Sequence, residues 1–78
     1  MRHIITFKNL FQVLKAERIL TAEEPTGFSV RPTPTPPGLG SAICGMSLEI
    51  LDVSQKTEIL ARLGRLNLTV QGIFEISD

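Results

Sequence analysis

The sequence predicts an α+β sandwich: a four-stranded antiparallel sheet with two helices on one face. Three observations carry this reading. Short β-branched and aromatic runs alternate with apolar residues at helical spacing. The elements fall in the order strand, helix, strand, strand, helix, strand. The two halves of the chain are similar in length, with no sequence repeat between them.

Residues 3–7 form the first strand-like run, and Asn9 is placed to cap the helix that follows. Leu10, Val13, Leu14 and Leu20 recur at helical spacing, which assigns all four, Leu14 among them, to the sheet-facing stripe. Pro25 restricts its predecessor and Thr26-Gly27 punctuate a turn, so the helix is expected to end near Glu24. Residues 28–31 alternate as a second strand.

Residues 31–41 read R-P-T-P-T-P-P-G-L-G-S. Four prolines cannot donate to a ladder and two glycines free the backbone, so a loop is expected here. Residues 42–51 are apolar enough for a central strand, with Gly45 marking a bulge or a close backbone approach. Asp52 and Gln55 resemble a capping box for a second helix whose buried side is Leu60 and Leu63 and whose stop is Gly64. Val70–Ile76 is the last strand, with Gly72 its weak point. Two split βαβ units in this order make a ferredoxin-like βαββαβ sandwich with the first and third strands in the centre.

Seventy-eight residues allow a single domain, 1–78, with a mostly aliphatic core, because Trp and Tyr are absent and Phe7, Phe11, Phe28 and Phe74 are the only aromatic anchors. Eight basic and eight acidic side chains cancel. Arg2, His3 and Lys8 are too few for a nucleic-acid footprint, so neither nucleic acid nor a membrane is an expected partner. No apolar run reaches membrane-spanning length or makes a signal peptide, and one cysteine forms no internal disulfide, so the cytoplasm is expected.

No phosphate-binding loop, dinucleotide fingerprint, nucleophile elbow or metal-ligand pattern is present, and no cofactor or metal is expected. Between Pro25 and Leu48 there is no carboxylate, which leaves Arg31 and Cys44 as the ionisable side chains around the proline-rich loop. That loop is either a stiff connector or a docking surface. A lone cysteine is often inert core. Cys44, however, follows this loop, abuts Gly45 and begins a strand. In an antiparallel sheet it would lie opposite Phe7 and Lys8, beside the first helix, where a lysine and helical amides favour the thiolate. His3 falls at the other end of the sheet and is no base for Cys44. Glu17, within the apolar arc of the first helix, is expected to reach solvent or pair with Arg31.

Phe7, Ala16-Glu17 with Leu20 after it, Pro34-Thr35-Pro36, Ser41-Ala42-Ile43-Cys44-Gly45 and Gly72-Ile73-Phe74 together resemble the selenium/sulfur carrier protein-like family of small bacterial and archaeal domains. The resemblance covers nearly the whole chain, and P-T-P followed by S-x-x-C-G is its most specific part. Pro37 stands where a basic residue commonly follows P-T-P, so an anion site built on that residue is not carried over. The resemblance implies a carrier of persulfide or perselenide linked to selenium metabolism, without independent turnover. Its partners would be sulfur or selenium donor and acceptor proteins. On this reading Cys44 is the acceptor thiol, Gly45 and Ser41 are backbone and hydroxyl donors around it, Lys8 with the first helical amides stabilises the thiolate, and Pro34, Thr35 and Pro36 are further binding residues.

The competing class is a non-catalytic ferredoxin-like module, sensing a ligand or pairing with another protein, with Cys44 as core packing. Open sheet edges and zero net charge also point to a homodimer.

Overall fold

The computed structural model describes residues 1–22, 27–39, 45–68 and 70–77. These form β1 (Arg2–Phe7), α1 (Leu10–Thr21), β2 (Val30–Pro34), β3 (Met46–Ile50), a 3₁₀ turn (Val53–Gln55), α2 (Lys56–Arg65) and β4 (Val70–Ile76). The strands make one antiparallel sheet in the order β2-β3-β1-β4, with β1 and β3 central, which is the ferredoxin-like arrangement.

Ile5, Phe7, Val30, Leu48 and Ile50 project from one face of the sheet onto Val13, Ala16 and Leu20 of α1 and onto Ile59 and Leu63 of α2. Leu14 is not part of this stripe: it is 47% exposed, as is Leu10. At about 100° per residue, Leu14 stands roughly 120° round the helix from Leu20. The helix settles on its smallest residue, Ala16, which brings the backbone close to the sheet and turns both leucines outward. Asn9 caps α1 as expected, its Oδ1 accepting from the Gln12 amide at 2.9 Å. The helix ends at Thr21, short of Glu24.

Strand β2 runs through Pro32 and Pro34, which the sequence assigns to the loop. It is an edge strand pairing only with β3, so the missing amide hydrogens cost no ladder bond on its outer side. Asp52 accepts from the Ser54 amide and hydroxyl. Gln55 does not complete a capping box: its Oε1 accepts from the Ser29 amide at 2.8 Å and ties the start of α2 to the entry of β2. Nor is Gly64 the stop. Asn67 is left-handed, with φ 57, and its amide donates to the Gly64 carbonyl while that of Leu68 donates to Leu63. That is a Schellman motif, with Leu68 buried against the core.

Along β1 and β4 the register runs from Arg2↔Ile76 to Thr6↔Gly72 and then shifts, so that Phe7 faces Val70. A Cβ on Gly72 would come 2.5 Å from the Phe74 ring and 3.2 Å from the Thr6 hydroxyl, so a larger residue there would have to push the ring aside.

Candidate functional site at the start of strand three

Pairing of β1 with β3 sets Thr6 opposite Ser47, so β3 begins beside the end of β1, from which Lys8 and Asn9 lead into α1. On the other side of β3, Pro34 pairs with Met46. The chain leaves β2 at Thr35, whose amide donates to the Gly45 carbonyl at 2.9 Å and whose hydroxyl lies 2.6 Å from that of the buried Ser47. The two expected motifs thus meet: P-T-P and the glycine of S-x-x-C-G are joined at the base of the β2–β3 connection.

Of the expected site residues, Pro34, Thr35 and Gly45 come together here. Pro36 follows, half-buried, and Lys8 is exposed at the β1–α1 corner of the same end of the sheet. Ser41 and Cys44 lie outside the described residues. Gly45 precedes β3 instead of bulging it, and a Cβ there would meet no atom within 4 Å, so crowding does not account for the glycine. His3 is at the far end, opposite Ile50, with its Nδ1 3.6 Å from the Glu75 carboxylate and 3.3 Å from the Lys56 ammonium.

Toward the His3 end, on the sheet face away from the helices, lies a polar cluster that the sequence reading missed. Glu49 is buried and accepts from Arg2 Nε at 3.1 Å and Nη2 at 3.0 Å, and from Arg31 at 3.3 and 3.2 Å. Arg2 also donates to the Thr33 hydroxyl at 3.1 Å. The partner of Arg31 is therefore Glu49 and not Glu17. Hydrogen bonding from Arg2, joined by Arg31, holds the Glu49 carboxyl below its ordinary value of 4.5 against the opposing effect of burial. The available signal was alternation: Ser47 and Glu49 are the polar positions of an otherwise apolar run and share one face. The Gln12 side-chain oxygen, by contrast, is buried without a hydrogen-bond donor among the described residues.

The fold and the corner define a ferredoxin-like domain whose most specific sequence motif flanks the start of its third strand. The family model described as "Putative Se/S carrier protein-like" matches residues 2–75, and the chain belongs to that family. Neither the curated proteins nor the solved structures contain a match. Among the described residues no helix is long and apolar enough to cross a membrane, and no three His, Cys, Asp or Glu side chains are grouped to hold a metal ion.

Proposed function

We propose that the protein is a sulfur or selenium carrier in which Cys44 takes a sulfane atom from a donor protein and hands it to an acceptor protein. The observation that carries this reading is membership of the carrier-like family together with a single thiol in the chain, placed next to Gly45.

The chemistry needs only one thiol. The Cys44 thiolate attacks the terminal sulfur of a donor persulfide, a new S–S bond forms as the donor's S–S bond breaks, and the donor thiolate leaves with the electron pair. The proton on the terminal sulfur stays with the transferred atom. No net oxidation occurs, and the same exchange applies to a terminal selenium. The acceptor thiolate then repeats the attack on the Cys44 persulfide.

Thr35 supports the reading by fixing one end of the connection that carries Cys44, through its bond to Gly45 and its hydroxyl contact with Ser47. Lys8 and the first amides of α1 stabilise the thiolate, Ser41 and Gly45 donate to the bound atom, and Pro34 and Pro36 wall the site. A reducing cytoplasm suits a thiol that must be free between loads.

Alkylation kinetics test the nucleophile without any partner. Iodoacetamide should modify native Cys44 with an apparent pKa below the usual value of about 8.5, and Lys8→Glu should raise that pKa modestly. A thiol that alkylates only on unfolding contradicts the carrier and leaves a non-catalytic interaction module.

A further inference from the structure

The two edges of the sheet are chemically unlike. Strand β2 spends two of its five residues on Pro32 and Pro34, which have no amide hydrogen to offer a neighbour. Strand β4, the opposite edge, runs seven residues without a proline. Ile73 on it is 45% exposed although it sits on the helix-bearing face, opposite the buried Ile5.

We propose that β4 pairs antiparallel with β4 of a second copy about a two-fold axis through Ile73, joining two four-stranded sheets into one continuous sheet. The strand is complementary to itself in that register. Ile73 meets Ile73 on the helix-bearing face, and Gly72 faces Phe74 on the other. Gln71 faces Glu75, an amide donor against a carboxylate, and no charge meets its like. Neighbouring registers lose this match: centring on Phe74 sets Ile73 against Glu75, and centring on Glu75 stacks two carboxylates. The pairing also leaves the Thr35–Gly45 corner clear, because that corner lies at the β2 side of the sheet.

Sedimentation of the full chain with reductant present tests the interface and its register together. The wild type should be dimeric at high micromolar concentration. Gln71→Lys places an ammonium opposite each Glu75 and should tighten the dimer, whereas Gln71→Glu should weaken it. Each shift should be about two- to thirtyfold, as expected for two symmetry-related cross-strand pairs. The existing Lys56 contact to Glu75, at 3.2 Å, draws the effect toward the smaller figure. Ile73→Lys should give a monomer with unchanged circular dichroism. Because these positions are exposed, the substitutions leave the core intact. A monomeric wild type, a dimer that disappears on reduction, or two Gln71 variants that shift in the same direction or not at all would overturn the proposal.

Discussion

Replacing Glu49 with Gln keeps the shape of the side chain and removes the charge that Arg2 and Arg31 share. Breaking a fully buried ion pair costs about 3–5 kcal/mol. Here the carboxylate is 8% exposed, but Arg2 is 30% and Arg31 59% exposed, so both guanidiniums can turn toward water. Discounted for that solvent access, the expected loss is roughly 1–3 kcal/mol. The parts should be unequal. Arg31→Ala should cost less than about 1 kcal/mol, and Arg2→Ala more, since Arg2 grips both carboxylate oxygens and also holds Thr33. The effect also has a pH signature. The folded carboxyl sits below 4.5, so its stabilisation is fully present above that pH and is lost as pH falls through the folded value. Urea titrations followed by far-ultraviolet circular dichroism suit a chain without Trp or Tyr. A Glu49→Gln loss under about 0.5 kcal/mol at neutral pH, or a gap from wild type that does not narrow in acid, would refute the reasoning.

Leu20→Ala should cost about 2–5 kcal/mol and Leu14→Ala less than about 1 kcal/mol, because the first empties a fully buried position and the second trims an exposed one; equal losses in urea would reverse the face assigned to α1. Asn67→Ala should cost about 1 kcal/mol and Asn67→Gly little or nothing, since φ is 57 there and a Cβ without a compensating side chain is strained; thermal melts that rank the two the other way contradict the cap. Gln12→Met should leave stability unchanged or raise it by about 1 kcal/mol, by removing a buried oxygen that accepts no bond from the described residues; a clear loss in the same titration would mean that the oxygen has a partner.

The strand and helix order was legible because periodicity and caps are local, and the Asn9 cap formed as its position in the chain indicates. What was not legible depended on neighbours. Two prolines argue against a strand until the sheet order makes that strand an edge. Large leucines argue for a helix face until a small Ala16 lets the helix approach by another side. Gln55 matches a capping box by spacing, but Ser29, distant in sequence, offers its side chain a better donor. At the candidate site, P-T-P and Gly45 were readable as motifs, whereas their joining through Thr35 required the β2–β3 register. Glu49 was hidden because its partners are 47 and 18 residues away along the chain.

The carrier assignment is tested most directly by mass spectrometry of the reduced, intact chain after incubation with a cysteine desulfurase and cysteine. The chain should gain one sulfur atom, mapped to the peptide that contains Cys44, removed by dithiothreitol and absent from Cys44→Ser. An unmodified chain, under conditions that load another sulfur carrier, would contradict it.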